Sequence, residues 1–176
     1  MIRTENVVTA TTTETREPAT GGRETVDVLL VCTPGGHLMQ LASLKSAWAG
    51  YSTAWVSEDT SDVRSILRGE RVYYSSGRAA RSIPNFFRNL RLARRLVREL
   101  EPKLMVSTGA AICVPFAWVA RLSGVRVFYV ESVTRIEEPS LTCRLVRPVA
   151  DKVYVQWPEL AARVPGSIYV GSVFSR

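Results

Sequence analysis

The only histidine in this chain follows two glycines, and these three residues are the first candidates for chemistry. Gly35, Gly36 and His37 lie just beyond an apolar, β-branched run that ends at Cys32. Glycines let a ligand approach the backbone closely, and a helix that starts here would offer free N–H groups to a phosphate or a sugar hydroxyl. An imidazole titrates near neutral pH, so His37 could accept a proton from a hydroxyl nucleophile. The alternative is that His37 only caps or packs the first turn of the helix.

A dinucleotide cofactor is a rival interpretation of the same loop. Its fingerprint is GxGxxG followed by an acid about 20 residues later, and Glu58 stands at about that distance. However, residues 34–40 lack both the GxG spacing and the third glycine. We therefore expect no nicotinamide or flavin cofactor.

A second stretch of small residues follows a later apolar run. Ser107, Thr108 and Gly109 could donate hydroxyl and backbone N–H hydrogen bonds to a phosphate or a sugar. The alternative is an ordinary turn between a strand and a helix, since small residues suit that role as well.

An acidic stretch follows the next apolar run. It begins with Glu131 and Ser132 and continues through Arg135. The carboxylate of Glu131 could bind sugar hydroxyls, orient His37 or serve as the base itself. Ser132 and Arg135 are candidates for binding a phosphate. The alternative is a solvated polar loop ahead of the next helix.

The net charge of the chain is +7, and one segment carries the whole excess. Seven arginines and no acidic residue lie between Arg78 and Arg98, which predicts a local anionic partner rather than a generally basic surface. On a helix, the apolar residues of this segment share one face and the arginines occupy the remainder. A basic amphipathic helix with aromatic residues at its start is typical of contact with an anionic lipid surface. The alternative is a crossover helix that shows its arginines to water.

The residues predicted at this membrane interface are Phe86, Phe87, Arg88, Leu90, Arg91, Arg94, Arg95 and Arg98. We expect no nucleic acid as the partner. Base stacking needs aromatic residues interleaved with the basic ones, and only Phe86 and Phe87 are present here.

Apolar runs alternate with amphipathic stretches, and this alternation predicts the elements that position these residues. The predicted strands are residues 26–32, 53–57, 71–75, 103–107, 126–131, 151–156 and 167–170. The predicted helices are residues 38–48, 61–68, 85–100, 111–122, 140–149 and 158–163. Such alternation indicates parallel βαβ units. We therefore expect an α/β fold, a Rossmann-like open parallel sheet with helices on both faces, in which ligands bind beyond the carboxyl ends of the strands.

The composition is that of a globular protein with one core. Of its 176 residues, 46% are hydrophobic and 22% are charged. Residues 1–25 are rich in threonine and poor in large apolar residues, so we expect a disordered tail there and one domain over residues 26–176. Three dispersed cysteines without a CxxC pair argue against a disulfide framework or a zinc site. This cysteine usage indicates a reducing, cytoplasmic setting.

Three motifs, in this order, resemble one known family. They are Val28-Leu-Leu-Val-Cys-Thr-Pro-Gly-Gly-His37, Val106-Ser-Thr-Gly-Ala-Ala-Ile-Cys-Val-Pro115, and Tyr129-Val-Glu-Ser132 followed by Ser140-Leu-Thr-Cys-Arg-Leu145. The family is that of bacterial exopolysaccharide and capsule glycosyltransferase subunits. It is related to the membrane-anchoring subunit of the eukaryotic UDP-N-acetylglucosamine transferase of asparagine-linked glycosylation. The likeness covers about residues 26–176.

This resemblance implies the N-terminal half of a GT-B glycosyltransferase that is split between two polypeptides. The present half would bind the acceptor, a polyprenyl-diphosphate-linked sugar, as a peripheral protein on the inner face of the cell membrane. A separate C-terminal-half subunit would bind most of the UDP-sugar donor. By the same likeness His37 and Glu131 are catalytic, no metal or other cofactor is needed, and the isolated chain is inactive. The alternative is a non-catalytic subunit that recruits to the membrane a partner carrying all the chemistry.

Overall fold

Seven strands and six α-helices alternate along the described part of the chain, residues 25–76 and 83–174 of a computed structural model. The strands are β1 (Val28–Val31), β2 (Thr53–Ser57), β3 (Val72–Tyr74), β4 (Leu104–Ser107), β5 (Arg126–Val130), β6 (Lys152–Val155) and β7 (Ile168–Tyr169). The helices are α1 (Gly36–Ser43), α2 (Ser61–Ile66), α3 (Ile83–Leu100), α4 (Cys113–Leu122), α5 (Leu141–Val146) and α6 (Pro158–Arg163). The predicted tail lies outside the described residues except for Thr25, and so do Arg78 and Arg81.

The strands form one sheet in the order β3-β2-β1-β4-β5-β6-β7. Every pairing between neighbours is parallel, so each connection is a crossover on one face of the sheet. This confirms the predicted Rossmann-like open sheet with helices on both faces. Because the strands are parallel, their carboxyl ends share one edge, and β1 lies between β2 and β4.

Two predicted helices end earlier than expected and continue as 3₁₀ turns. The first, α1, ends at Ser43, since Leu44 leaves helical geometry with φ −90° and ψ 10°, and a 3₁₀ turn follows at Lys45–Trp48. Likewise, α5 gives way to a 3₁₀ turn at Arg147–Val149, where Pro148 has no N–H to continue the helical ladder. Such turns are frequent at helix C-termini, so the sequence predicts the place of the element better than its geometry.

The sheet separates two apolar cores. Leu29 and Val31 face the core on the side of α3, α4 and α5, whereas Val28 and Leu30 face the core on the side of α1 and α2. All four residues of β1 are buried, as expected of a strand that is covered on both faces. The loop that carries the histidine therefore starts from an enclosed, rigid strand.

One carboxylate ties the amino ends of three strands together. Asp27 accepts hydrogen bonds from the backbone N–H and the hydroxyl of Ser52 and pairs with Lys103 at 2.7 Å. These contacts, that with Lys103 first, lower the pKa of Asp27 from 3.8 to about 2. Since Asp27, Ser52 and Lys103 precede β1, β2 and β4, this carboxylate aligns the starts of three central strands.

The long helix α3 packs one face on the sheet and leaves its arginines outward. Its buried residues are Asn89, Ala93, Leu96, Val97 and Leu100. The sequence analysis did not place Asn89 on this face. Its Oδ1 accepts a hydrogen bond from the N–H of Ser76, which ties α3 to the segment after β3. Leu90 is half-buried and packs partly against the core, and its predicted place at a membrane interface stays a prediction.

Candidate functional site

Three loops lie side by side at the carboxyl edge of the sheet. They are the histidine loop (residues 33–37), the small-residue loop (residues 107–110) and the acidic loop (residues 131–140), which follow β1, β4 and β5. These strands are neighbours in the sheet. The structure therefore brings together the three stretches in which the sequence placed its candidate residues.

The ring of His37 is held by the small-residue loop. Its Nδ1 lies 2.7 Å from the carbonyl oxygen of Thr108, and the hydroxyl of Thr108 donates to the carbonyl oxygen of His37 at 2.7 Å. A carbonyl oxygen only accepts, so the neutral imidazole carries its proton on Nδ1 and its lone pair on Nε2. The Thr108 carbonyl therefore orients the ring, a role that was one of the possibilities for Glu131 in the sequence. The atom of His37 that can take a proton from a ligand is Nε2.

The hydroxyls of Ser107 and Thr108 hold the small-residue loop rather than a ligand. Both residues are fully buried. The Ser107 Oγ accepts a hydrogen bond from the N–H of Gly109 at 3.1 Å, and the Thr108 hydroxyl is bonded to His37. The prediction that these hydroxyls bind a phosphate or a sugar is corrected on this ground, because their hydrogen-bonding capacity is used within the protein.

Gly109 is the residue of the small-residue loop at which a side chain would meet the imidazole. Its φ is +114°, and a Cβ at this position would lie 3.1 Å from Cε1 of His37 and 3.2 Å from the hydroxyl of Tyr129. A side chain would be strained by the backbone conformation and crowded by both rings. Glycine is therefore required here so that Thr108 can reach His37.

The carboxylate of Glu131 is enclosed by hydrogen-bond donors. Its Oε1 accepts from the hydroxyl of Tyr129 at 3.2 Å and from the N–H of Ser132 at 2.8 Å. Its Oε2 accepts from the N–H and the hydroxyl of Ser140 at 2.9 and 2.8 Å. The residue is only 1% exposed. This geometry fits a group that fixes the acidic loop better than the catalytic base or sugar contact that the sequence predicted.

The tyrosine hydroxyl and the two thiols near this carboxylate are buried, and their burial keeps them protonated. Burial, with the charge of Glu131, raises the pKa of Tyr129. The same two causes, burial first, raise the pKa of Cys143 to about 12. Burial likewise raises the pKa of Cys113 to about 12. Tyr129 is therefore a donor to Glu131, and neither thiol is poised to act as a nucleophile at neutral pH.

The two glycines of the histidine loop differ in what they offer a ligand. The N–H of Gly35, whose φ is +76°, donates to Oδ2 of Asp62 at 3.1 Å. A hydrogen bond from Thr60 is the first cause of the lowered pKa of Asp62, so a negative charge stands beside Gly35. The predicted phosphate contact of Gly35 is corrected for this reason. The N–H of Gly36, in the first turn of α1, has no intrahelical partner and stays a candidate.

The remaining candidates of the acidic loop have different surroundings. The hydroxyl of Ser132 lies 3.0 Å from that of Thr134 and accepts from the Thr134 N–H at 3.4 Å, so it shapes the turn. Arg135 is exposed, and its contact with a phosphate stays a prediction.

Two buried glutamines in this region were not among the predicted site residues. Gln40 lies in α1 and Gln156 follows β6, and Nε2 of Gln156 donates to Oε1 of Gln40 at 2.7 Å. A signal for Gln40 was present, because it is a polar residue between Leu38 and Leu41, the other buried residues of α1. Gln156 stands directly after a strand, where the sequence analysis looked for site residues.

A basic surface lies on the outer side of the helix layer. The side chains that line a shallow cavity of about 350 Å³ there are those of Arg91, Arg94, Arg95, Arg98, Val119 and Ser123. The arginines come from α3, Val119 comes from α4, and Ser123 directly follows α4. At the start of α3, Phe86 and Phe87 are both exposed, with their rings nearly perpendicular and 5.8 Å apart.

Exposed apolar residues extend this surface across α4 and α5. Trp118 and Leu122 are exposed on α4, with Leu122 81% exposed, and Leu141 and Leu145 are exposed on α5. The indole N–H of Trp118 donates to the carbonyl oxygen of Leu145 at 3.1 Å, which joins the two pairs. The sequence alone does not single out these four residues, because each helix contributes only one pair of large side chains and the pairs meet only when the helices lie side by side. We call the arginines, Phe86, Phe87 and these four residues the basic–apolar surface.

An apolar groove of about 550 Å³ crosses the other face of the sheet. Its floor is formed by Val28 of β1, Val106 of β4, Phe128 of β5 and Tyr154 of β6, and Trp48 forms part of one wall. These strands lie side by side, so the groove exposes apolar sheet surface between the elements that cover the rest of this face.

Two features are absent from residues 25–76 and 83–174. No helix in this part of the chain has both the length and the hydropathy required to cross a membrane. In the same residues, no three side chains of His, Cys, Asp or Glu come together as they do around a metal ion.

The sequence matches relatives over most of its length. The family model described as "Oligosaccharide biosynthesis protein Alg14 like" matches residues 42–173. The UDP-N-acetylglucosamine transferase subunit ALG14 of Mus musculus is 25% identical, over 86% of this chain and 84% of the relative. The protein of the same name from Homo sapiens is 27% identical, again over 86% of this chain and 84% of the relative.

The fold also matches solved structures. MurG from Acinetobacter baumannii superposes with a TM-score of 0.70 at 19% identity, over 85% of this chain and 46% of the other. A UDP-N-acetylglucosamine 2-epimerase from Rickettsia bellii gives a TM-score of 0.66 at 10% identity, over 85% and 45%. The chain thus spans a little less than half the length of these structures, and its fold is the Rossmann-like domain of GT-B glycosyltransferases and epimerases. Since the family model covers about three quarters of its residues, the chain belongs to the Alg14-like family of oligosaccharide biosynthesis proteins.

Proposed function

We propose that this chain is the acceptor-binding and membrane-associating subunit of a two-component, UDP-sugar-dependent glycosyltransferase. The acceptor is a sugar linked to a polyprenyl diphosphate, and a separate subunit binds most of the UDP-sugar. The names of the mouse and human relatives, which are transferase subunits, support the division into two components. The likeness of the sequence motifs to bacterial subunits supports exopolysaccharide or capsule biosynthesis as the setting.

The observation that carries the proposal is the fixed tautomer of His37. Because Nδ1–H is bonded to the Thr108 carbonyl, the lone pair of Nε2 is directed away from the small-residue loop. The ring is partly exposed at the edge where ligands bind in open parallel sheets. A general base needs this combination of a free lone pair, a fixed orientation and access to the substrate.

The transfer step follows from this placement. The acceptor hydroxyl attacks the anomeric carbon of the donor sugar, the bond from that carbon to the UDP oxygen breaks, and UDP leaves with the electron pair. The hydroxyl proton passes to Nε2 of His37. The N–H of Gly36 and the guanidinium of Arg135 are the proposed contacts for the acceptor diphosphate. Glu131 acts indirectly, because its four hydrogen bonds fix the acidic loop beside the site.

The basic–apolar surface is the proposed membrane contact. Arginines neutralise anionic headgroups while large apolar side chains enter the interfacial region. This combination is present here on three adjacent helices. It suits a peripheral position on the inner face of the cell membrane, where a polyprenyl-linked acceptor is held.

The apolar groove is the proposed docking surface for the second subunit. The chain spans less than half of MurG, and a sheet face with an uncovered apolar groove of about 550 Å³ is suited to burial by an amphipathic segment of another polypeptide. The alternative function, a subunit that only recruits a partner carrying all the chemistry, would use the same two surfaces and leave His37 without a role.

A His37→Ala variant of the assembled two-subunit enzyme separates these functions. Removing a general base costs about 10²–10⁴-fold in rate, so we expect kcat for UDP release to fall by that factor with little change in KM. Met39→Ala, an exposed change two residues away on α1, is the matched control and should keep the wild-type rate. Unchanged turnover in His37→Ala, with partner and vesicle binding intact, would support the recruitment function instead.

A further inference from the structure

Two glutamine side chains form a buried amide pair beside the candidate site. Gln40 of α1 and Gln156 after β6 are each 3% exposed and lie 116 residues apart in sequence. Their direct hydrogen bond, from Nε2 of Gln156 to Oε1 of Gln40, is 2.7 Å long. Burying an amide is costly unless its hydrogen bonds are made.

The amide of Gln40 connects the histidine loop with the acidic loop. Its Nε2 donates to the carbonyl oxygen of Gly36 at 3.1 Å. Its Oε1 accepts from the N–H of Val133 at 2.9 Å, in addition to the bond from Gln156. Gly36 directly precedes His37, so the side chain of Gln40 fixes the backbone from which the imidazole extends.

The amide of Gln156 connects this assembly with the C-terminal segment, residues 171–174. Its Nε2 also donates to the carbonyl oxygen of Glu131 at 2.9 Å. Its Oε1 accepts from the hydroxyl of Ser172 at 3.1 Å and from the N–H of Val173 at 2.9 Å. A continuous chain of hydrogen bonds therefore runs from the C-terminal segment through both glutamines to the histidine loop.

A satisfied buried network of this kind selects one arrangement of its parts. Without the donors of Ser172 and Val173, Oε1 of Gln156 would be buried and unpaired, and the amide would turn to find other partners. A turned Gln156 amide would direct its oxygen at Oε1 of Gln40, which accepts and cannot donate. Gln40 could satisfy that oxygen only by turning as well, so that its Nε2 faces Gln156 and its side-chain bonds to Val133 and to the carbonyl of Gly36 are lost.

We propose that Gln40 and Gln156 are positioning residues that make the placement of His37 depend on the seating of the C-terminal segment. The consequence for catalysis rests on the proposed function, whereas the structural coupling does not. It gives the chain a means to complete its active site only when residues 171–174 are in place.

The state of the imidazole is a direct readout, because His37 is the only histidine in the chain. Two-bond ¹H–¹⁵N correlation spectra of the labelled full chain at alkaline pH distinguish a protonated Nδ1 from a bare one. We expect wild-type Nδ1 to be protonated, as its bond to Thr108 requires. When the histidine loop is released, tautomers mix and the two nitrogen shifts move toward each other.

The decisive variant removes the distal donors, together with the bond that the Ser172 hydroxyl accepts from the N–H of Phe174. Ser172→Ala/Val173→Pro leaves both glutamines intact and should move the His37 nitrogen shifts toward those of mixed tautomers. Gln156→Met, which keeps the volume but loses the amide, should move them in the same direction. Phe174→Ala changes an exposed side chain of the same segment and is the matched control; it should leave the shifts at the wild-type values. Near-UV circular dichroism checks the fold, and Ser172→Ala alone is the milder variant if a larger change prevents folding.

Wild-type His37 shifts in folded Ser172→Ala/Val173→Pro, or in Ser172→Ala where the double variant does not fold, would overturn the coupling. A second measurement tests the proposed function separately from the structural coupling. In the assembled enzyme, Gln156→Met should lower kcat by about 10–100-fold with KM little changed, as expected for a misplaced catalytic group. If the shifts move but the wild-type enzyme shows no transfer, the proposed function fails and the coupling stands.

Discussion

Gly109 is the residue whose replacement tests most sharply how His37 is held. Its backbone has φ +114°, and an added Cβ would lie 3.1 Å from Cε1 of His37. We expect Gly109→Ala to destabilise the protein by about 1–3 kcal/mol from backbone strain, with a further cost from the contact with the imidazole. The variant should also move the His37 nitrogen shifts. Chemical denaturation and the spectra described above measure the two effects.

Gly124→Ala is the control for that substitution. Gly124 has φ +79°, and an added Cβ would have no neighbour within 4 Å. It should therefore show the strain without the crowding, and leave the spectrum of His37 unchanged. Equal destabilisation by both variants, with wild-type His37 shifts in each, would contradict the close packing of Gly109 on the imidazole.

The sequence predicted three candidate stretches that the structure brings together, but not the contacts of their residues. His37 was a candidate because of its residue type, and Thr108 and Glu131 because they follow strands. In the structure, the backbone carbonyl of Thr108 orients the ring. Glu131 accepts four hydrogen bonds from groups of the protein. Both findings depend on the directions in which the side chains point. Those directions are set by tertiary packing, which no local pattern encodes.

The hydrogen bonds of Asp27, which join the strands β1, β2 and β4, predict that the stability of the fold depends on pH. The pKa of Asp27 is lowered from 3.8 to about 2 in the folded protein, first by the hydrogen bond with Lys103. A lowered carboxyl pKa stabilises the folded state above the unfolded pKa, and this contribution is lost as the pH falls through the folded pKa. Asp27→Asn should therefore have a lower Tm than wild type at pH 7, with a difference that shrinks between about pH 4 and pH 2. A difference that stays constant over that range would contradict the assignment.

The basic–apolar surface predicts binding to anionic vesicles through two separable contributions. Replacing Arg94 and Arg98 by Gln should weaken co-sedimentation with vesicles that contain anionic lipid, and most strongly at low salt, because about 1 kcal/mol per arginine is electrostatic. Replacing Trp118 and Leu122 by Ser should weaken it at all salt concentrations, because the lost contact is apolar. Arg163→Gln, on α6, is the matched control for loss of a charge. Binding that responds to Arg163 as much as to Arg94 and Arg98 would contradict a localised surface.

At the scale of elements, the sequence predicted every strand and the alternation with helices, since apolar runs and amphipathic periodicity are local signals. The predictions differ from the structure at residues whose surroundings are set by contacts between elements. Asn89 is buried within α3, where its Oδ1 accepts a hydrogen bond from the N–H of Ser76, and Leu90 packs partly against the core. The four exposed residues of α4 and α5 form a surface only because these helices lie side by side.

At the scale of the whole molecule, the described residues match a little less than half of MurG in fold. One open Rossmann-like sheet presents a fixed imidazole at its carboxyl edge, a basic–apolar surface on one face and an apolar groove on the other. The composition predicted one domain, and the parallel order predicted where ligands bind. The groove could not be predicted from the sequence, because the residues of its floor are spread over four strands and are also core residues.

The measurement that tests the central claim most directly is UDP release by this chain, by its partner subunit, and by the two together, with a polyprenyl-diphosphate-linked sugar as acceptor. The account predicts a stable complex and acceptor-dependent release of UDP that neither chain alone supports. A variant with Tyr51→Asp at the exposed rim of the groove should lose both complex and activity while keeping its vesicle binding. Full transfer by the partner alone, in the absence of this chain, would contradict the claim that the acceptor site and its base lie here.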